Sequence, residues 1–183
     1  VGRDLVNADM DMIGISRGGS TRETYKRVRG VDAFERVVEN IRVLTKYKKK
    51  VNKKKPALSF NIVAMKSILP ELQALVQLAH EIGVESIMFP NLVVQGKLLI
   101  EESLWHDVES AKAAFSDAAV TARKLGVVFI PPKLDICTKD CTALFKIMAV
   151  NWDGTIMTCA QERYIVGDLR EDNINATWNS KGI

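Results

Sequence analysis

Three cysteines near the end of the chain are the residues best suited to metal chemistry. Cys137 and Cys141 lie four residues apart, and Cys159 follows Gly154 by five residues. Thiolates are soft ligands that favour zinc or iron–sulfur clusters, and both kinds of site normally take four ligands. The residue types therefore predict a metal site that needs one more ligand, either from a residue of another type or from additional sequence.

Apolar segments that alternate with amphipathic segments indicate the elements that would position such a site. This alternation favours an α/β fold with a parallel sheet, and the nearly continuous apolar segment 57–65 is typical of a strand buried on both faces. Asp32, followed by Glu35, fits a capping box that would begin the first long helix. The predicted strands are 11–16, 57–65, 86–89 and 127–130, and the predicted helices are 32–49, 70–82 and 102–125.

The sequence changes character after Pro131-Pro132. Asp153-Gly154 lies between two short apolar segments, 147–150 and 155–157, which is a strong signal for a β-hairpin. Folding this hairpin back would bring Cys141 close to Cys159. We therefore predict two domains, residues 1–132 and residues 133–183.

The composition excludes several classes of protein. The chain has 183 residues and a net charge of +4, and it has no apolar run of the roughly 18 residues that would span a membrane. An odd number of cysteines without the density of a disulfide scaffold favours a reducing, cytoplasmic setting. Position 1 is Val rather than Met and no apolar leader follows it, so we expect the chain to begin at a cut end.

Most of the excess positive charge lies in one segment, residues 46–55, which holds seven lysines. Such a segment is either a solvated helix end whose cations complement the helix dipole or a patch that binds nucleic acid. The segment contains no arginine and one aromatic residue, which favours the first interpretation.

Several motifs together resemble the radical SAM superfamily, in its branch with a SPASM or twitch domain. The spacing from Cys141 through Gly154 to Cys159 matches the opening of that domain's cluster motif. The upstream segment from Ile15 to Gly30 is similar to the family's fourth barrel strand and its loop. Further similarities are Asn151-Trp152-Asp153-Gly154, Val166-Gly167-Asp168-Leu169, Thr177-Trp178-Asn179-Ser180 and Phe60-Asn61-Ile62-Val63-Ala64-Met65.

The resemblance implies a fold and an activity. It implies that residues 1–132 form the second half of a parallel (β/α) partial TIM barrel, and that residues 133–183 begin a SPASM/twitch-like appendage with a β-hairpin. The family's CxxxCxxC motif is absent and would precede Val1. The chain would thus be a segment of an enzyme that reductively cleaves S-adenosylmethionine to modify a peptide, protein or small molecule, and it would be inactive alone.

The resemblance also implies roles for individual cysteines. Cys141 and Cys159 would be ligands of an auxiliary 4Fe-4S cluster, whereas Cys137 lies off the motif and is a weaker candidate. Zinc remains an alternative, because sulfur ligands alone do not separate it from iron.

Three residues are implied to contact S-adenosylmethionine, and none is assigned a catalytic role. Ser16 would contact the ribose or carboxylate, Arg29 would pair with the methionyl carboxylate, and Asn61 would point toward the site from the next strand. The family's aspartate after the serine is Gly18 here, which weakens the case for a contact with the ribose hydroxyls.

The expected partners follow from these assignments. We expect a peptide or small-molecule substrate and no membrane, and nucleic acid is not favoured. The alternative hypothesis is a stand-alone, metal-stabilised module that binds nucleic acid through residues 46–55. Because a half-barrel exposes two sheet edges, we also expect edge-to-edge association into homo-oligomers.

Overall fold

The protein divides into two compact units. The computed structural model describes residues 2–94, 97–135, 146–158, 164–171 and 173–179. The first unit is Val1–Leu134 and the second is Asp135–Ile183. In the described part of the chain, no helix is long and apolar enough to cross a membrane.

The first unit is a parallel α/β sheet with helices, as predicted. Its four strands pair in chain order, so that each strand is hydrogen-bonded to the next one along the sequence. They are β1 Met12–Ser16, β2 Ala57–Asn61, β3 Ser86–Met88 and β4 Val128–Ile130. The helices are α1 Gly2–Asn7, α2 Arg22–Arg29, α3 Phe34–Lys50, α4 Leu72–Ile82 and α5 Val108–Leu125, with 3-10 turns at Lys66–Glu71, Lys97–Leu99 and Leu104–His106.

One face of this sheet forms the core with the helices. Ile15, Phe60, Ile87 and Phe129 are register partners across the four strands, and Phe60 and Ile87 are fully buried. The apolar stripe of α4 packs into the same cluster. Side chains alternate along a strand. The residues directly before and after each of these four in its own strand therefore point to the opposite face.

Two predicted helix ends are confirmed, and one predicted helix start is wrong. Gly83 and Gly126 end α4 and α5 with positive φ angles of 80° and 71°, as expected for glycine after a helix. The capping box at Asp32 does not form: α3 follows Ala33, which makes no side-chain cap. Asp32 instead accepts two hydrogen bonds from Arg22, at 2.9 and 2.7 Å, so its carboxylate is engaged elsewhere.

Helix α2 was not predicted, and two other elements are shorter than predicted. Thr21 caps α2 by accepting a hydrogen bond from the backbone N–H of Thr24 at 3.2 Å. Strand β2 ends at Asn61 rather than at residue 65. The predicted helix 102–125 begins at Val108, because the carboxylate of Asp107 caps it through the N–H of Ser110 at 3.1 Å.

The second unit contains the predicted hairpin. Strands β5 Ala149–Val150 and β6 Thr155–Met157 are antiparallel, and β7 Ile165–Asp168 pairs with β6. A short helix, α6 Ile174–Trp178, follows. Gly154 in the turn has a φ of 90°, a conformation that glycine adopts without steric cost.

Candidate functional site

A row of four register partners crosses the sheet at the C-terminal ends of its strands. Ser16 pairs with Asn61, Asn61 with Met88, and Met88 with Ile130. In parallel α/β folds, ligands bind at the carboxyl ends of the strands. This row, which we call the terminal row, therefore occupies the position in the fold where a binding site is expected.

The terminal row lies on the face of the sheet that the helices of its unit leave uncovered. Ser16 is exposed and Asn61 is half-buried, while Met88 and Ile130 are 40% and 42% exposed. Strands of parallel sheets are normally covered on both faces. An exposed row of two polar and two apolar side chains is therefore available to a ligand.

Gly14 makes room for the side chain of Asn61. A Cβ atom added at Gly14 would lie 2.8 Å from Nδ2 of Asn61, closer than carbon and nitrogen atoms can approach. The amide of Asn61 therefore extends across β1, on the same face as Ser16. The absence of a side chain at Gly14 thus allows the side chains of Ser16 and Asn61 to lie side by side on one face.

Arg29, the third predicted contact, is held beside the loop that follows Ser16. A Cβ atom at Gly18 would lie 3.2 Å from Cγ of Arg29 and 2.7 Å from Cβ of Val28. Gly18 is therefore required for the close approach of α2 to this loop. Arg29 is the last residue of α2 and is exposed, so it is accessible at this end of the sheet.

Two further residues of this region, Arg17 and Glu71, were missed by sequence reasoning. Arg17 is 2% exposed, and its Nε–H donates to the carbonyl of Gly19 at 2.9 Å. Burial lowers the pKa of Arg17 to about 10. The sequence signals a role for Arg17 only by its position, directly after the candidate ligand residue Ser16 and before two glycines.

The carboxylate of Glu71 ties the same loop to the start of α4. Its Oε2 accepts from the N–H and the Oγ–H of Ser20, at 2.6 and 2.7 Å, and its Oε1 accepts from the hydroxyl of Thr24. Burial would raise the pKa of Glu71, but the hydrogen bonds from Thr24 and Ser20 hold it below its usual value. Because 51 residues separate Glu71 from Ser20, no local pattern could have indicated this contact.

The predicted metal ligands Cys137, Cys141 and Cys159 lie outside the described residues. Among the described residues, the His, Asp and Glu side chains form no group of three that could hold a metal ion. The hairpin that precedes Cys159 is described, and its turn is well fixed. Oδ1 of Asp153 accepts from the N–H and the Oγ–H of Thr155, at 3.0 and 2.7 Å.

Strand β7 holds the other side of this turn. The N–H of Leu169 donates to the carbonyl of Gly154 at 2.9 Å. The guanidinium of Arg170 pairs with the carboxylate of Asp168 and lowers the pKa of Asp168 to about 2. The residues around Gly154 are thus fixed immediately before the cysteine that the motif assigns as a ligand.

Lysines 46–55 lie at the opposite end of the sheet, before the first residue of β2. Lys48 is buried and donates to the carbonyl of Pro56 and to Glu85, both at 2.6 Å. Lys53 and Lys55 form ion pairs with Asp9 and Asp11. The nucleic-acid hypothesis for this segment, like the expected edge-to-edge association, stays a prediction.

Comparison with known proteins shows what the two parts of the chain resemble. Residues 141–183 match the SPASM family, described as an iron–sulfur cluster-binding domain. The chain is also 32% identical over 97 residues to a probable GTP 3',8-cyclase of Saccharolobus islandicus. Its fold matches Streptococcus suis SuiB bound to the precursor peptide SuiA, with a TM-score of 0.70 and 14% identity. Residues 141–183 are thus similar to an iron–sulfur cluster-binding domain, and the fold of the chain resembles that of SuiB.

The coverage of these matches shows how much of each similar protein the chain spans. The match to the cyclase covers 52% of this chain and 30% of that protein, so the chain spans about a third of the length of the curated relatives it matches. The fold match covers 98% of this chain and 44% of SuiB. A second structure, native anSMEcpe with bound AdoMet, matches with a TM-score of 0.66 and 15% identity over 99% of this chain and 53% of that chain.

Proposed function

We propose that this chain is the part of a radical SAM enzyme that binds S-adenosylmethionine at the terminal row and an auxiliary 4Fe-4S cluster in residues 141–183. The observation that carries the proposal is the pairing of Ser16 with Asn61 at the C-terminal ends of β1 and β2, on the uncovered face of the sheet. The SPASM match of residues 141–183 supports the second half of the proposal.

The residues of the terminal row suit a ligand that is polar at one end and apolar at the other. The hydroxyl of Ser16 and the amide of Asn61 both donate and accept hydrogen bonds, which fits ribose hydroxyls and the edges of an adenine. Met88 and Ile130 offer partly exposed apolar surface beside them, where a ring or a substrate side chain would be excluded from water. The space over Gly14 that the amide of Asn61 occupies keeps both polar groups on one face.

Arg29 is the residue that we propose for the methionyl carboxylate. A guanidinium binds a carboxylate through two parallel hydrogen bonds, and the position of Arg29 beside Gly18 puts its stem close to the loop after Ser16. Gly18 cannot be replaced by the aspartate of the family without a clash with Val28. Recognition of the ribose would therefore depend on Ser16 and Asn61 rather than on a carboxylate of this loop.

The cofactors would supply the reactivity, since one-electron cleavage of S-adenosylmethionine generates the radical that abstracts hydrogen from substrate. The residues of this chain would bind and orient: Ser16 and Asn61 hold the nucleoside part, and Arg29 holds the carboxylate. The chain lacks the CxxxCxxC motif, so we expect the 183 residues alone to cleave no S-adenosylmethionine.

For the auxiliary cluster we propose Cys141 and Cys159 as ligands, with Cys137 as a further candidate. Four thiolates normally hold a 4Fe-4S cluster, so the site would be completed by residues other than these three. The turn around Gly154, held by Asp153 and β7, would fix where Cys159 enters the site.

A peptide is the substrate class that we favour. SuiB was solved with its precursor peptide SuiA, and anSMEcpe with a Cp18Cys peptide. The uncovered face of the sheet leaves room beside Met88 and Ile130 for a segment of extended chain. The similarity to a probable GTP 3',8-cyclase keeps a small-molecule substrate as the alternative.

Binding of S-adenosylmethionine tests the first half of the proposal. We would measure its dissociation constant by equilibrium dialysis on the reconstituted full-length protein, with the variants Ser16→Ala and Asn61→Leu. Each removes hydrogen bonds to the ligand, and we expect the dissociation constant to rise about tenfold or more. Ser86→Ala is the matched control, because Ser86 lies on the same face one row away. Unchanged binding in both site variants would refute the site.

Iron content tests the second half. After anaerobic reconstitution, Cys141→Ala and Cys159→Ala should each lower the iron and sulfide bound per protein and the visible absorption of the cluster. Cys137→Ala is the comparison, since Cys137 lies off the motif. Stoichiometric zinc with no visible absorption would overturn the cluster assignment in favour of the zinc alternative.

A further inference from the structure

Arg17 is a buried cation directly next to the proposed ligand residue Ser16. Its side chain leaves the strand on the side opposite to Ser16, into the layer between the sheet and the helices. The guanidinium carbon lies 4.5 Å from the centroid of the Phe34 ring and 5.1 Å from that of Phe60. Cation–π contacts of this kind are favourable, but aromatic rings do not supply oxygen acceptors for the N–H groups of the guanidinium.

Arg17 donates hydrogen bonds to the loop after β1 and to the last residue of β2. Its Nε–H donates to Gly19 at 2.9 Å, and its backbone N–H donates to the carbonyl of Asn61 at 3.0 Å. Among the described residues, its two terminal nitrogens have no hydrogen-bond partner. An unpaired buried N–H of a charged group is destabilising, so stability alone does not account for an arginine here.

Glu71 holds the same loop from the other side. Through Oε2 it accepts two hydrogen bonds from Ser20, the residue that follows the acceptor of Arg17. The loop between these two anchors leaves no space for side chains, since a Cβ at Gly19 would lie 2.5 Å from Cγ2 of Thr24. The segment 17–20 is therefore confined to one arrangement, fixed at Gly19 by a cation and at Ser20 by an anion.

We propose that Arg17 and Glu71 are positioning residues that hold the loop 17–20, and through it Ser16 and Asn61, in the arrangement that binds S-adenosylmethionine. This inference rests on the proposed function of the terminal row. A buried charge can be replaced by an apolar residue of similar volume with little loss or even a gain of stability. A positioning role thus predicts that affinity and stability respond in different directions.

Arg17→Met in the full-length protein separates a positioning role from a role in stability. We expect the midpoint of urea unfolding to stay equal or to rise, while the dissociation constant for S-adenosylmethionine rises about tenfold and the amides of Gly19 and Ser20 exchange hydrogen faster. Lys48→Met is the matched control: it also removes a buried cation, but at the other end of the sheet, and it should lower stability and leave the dissociation constant unchanged.

A second variant keeps the inference testable if Arg17→Met fails to fold. Glu71→Gln preserves the shape of the side chain but replaces one acceptor oxygen by a donor, so it should weaken binding in the same direction and accelerate exchange at Ser20. Unchanged affinity in a folded Arg17→Met variant, or in Glu71→Gln, overturns the inference. If Ser16→Ala and Asn61→Leu still weaken binding in that case, the proposed function stands and the positioning role alone is rejected.

Discussion

Gly83 ends α4 directly against Thr45 of α3. A Cβ atom at Gly83 would lie 2.5 Å from Cγ2 of Thr45, and the hydroxyl of Thr45 donates to the carbonyl of Ile82 at 3.1 Å. The end of one helix is thus fitted to the side of its neighbour, and two separate requirements meet at one glycine: a positive φ and the absence of a side chain.

Gly83→Ala and Gly126→Ala should separate these two requirements. Both residues have a positive φ, but a Cβ at Gly126 would meet nothing within 4 Å. We expect Gly126→Ala to lower the free energy of unfolding by about 1 kcal/mol, the cost of the left-handed conformation, and Gly83→Ala to lower it further because of the clash. Urea unfolding of both variants measures the difference. Equal losses would mean that Thr45 moves aside without cost.

Gly14→Ala should weaken ligand binding through Asn61. The added methyl carbon would lie 2.8 Å from Nδ2 of Asn61, so the amide must move away from Gly14 and lose its position beside Ser16. We expect the dissociation constant for S-adenosylmethionine to rise about tenfold, as measured by equilibrium dialysis. In a double-mutant cycle with Asn61→Ala, the two effects should not add, because both act on one side chain. Additive effects would place the action of Gly14 elsewhere.

Lys48→Met should destabilise the first unit. The ammonium group of Lys48 is the donor for the carbonyl of Pro56 and for Glu85, and its side chain is 7% exposed. Leaving these acceptors without their donor should lower the free energy of unfolding by about 2 kcal/mol. Lys50→Met, an exposed lysine of the same helix, is the control and should change it by about 0.5 kcal/mol or less. Similar losses in both variants would argue against a specific role for Lys48.

Acid should loosen the loop that Glu71 holds. Because the pKa of Glu71 in the folded protein is below its usual value, its stabilising contribution is complete above the unfolded-state value of about 4.3. It is lost as the pH falls through the lowered value. The difference in unfolding free energy between the unmodified protein and Glu71→Gln should therefore shrink from pH 7 toward about pH 3. A difference that is constant over this range would contradict the assignment.

The alternation of strands and helices could be predicted because it follows from local apolar patterns. The middle of the apolar segment at β2 is buried, the apolar stripe of α4 packs into the core, and Gly83 and Gly126 mark helix ends by their own conformational freedom. The position of Asn61 on the strand next to Ser16 was implied by the family resemblance, and the two residues are register partners at the carboxyl ends of adjacent parallel strands.

The features that could not be predicted depend on partners distant in sequence. Helix α2 is mostly polar, so its apolar residues show no clear period, and only the cap at Thr21 marks its start. Asp32 does not cap α3, because its carboxylate accepts hydrogen bonds from Arg22, ten residues away. The loop after β1 is held by Arg17, which is buried, and by Glu71, which is distant in sequence. Sequence patterns assign both residue types to the surface.

The strictly sequential order of the four parallel strands has a consequence for how this unit folds. Each strand–helix repeat pairs only with the repeat before and after it in the chain, so no step of folding has to wait for a distant segment. Growth by nearest-neighbour addition is the behaviour of repeat architectures, but each parallel pair must first close the connection between its strands, as between Met12 and Ala57, and such closure slows folding. A further strand could be added beside β1 or β4 without rearrangement of the pairs already formed.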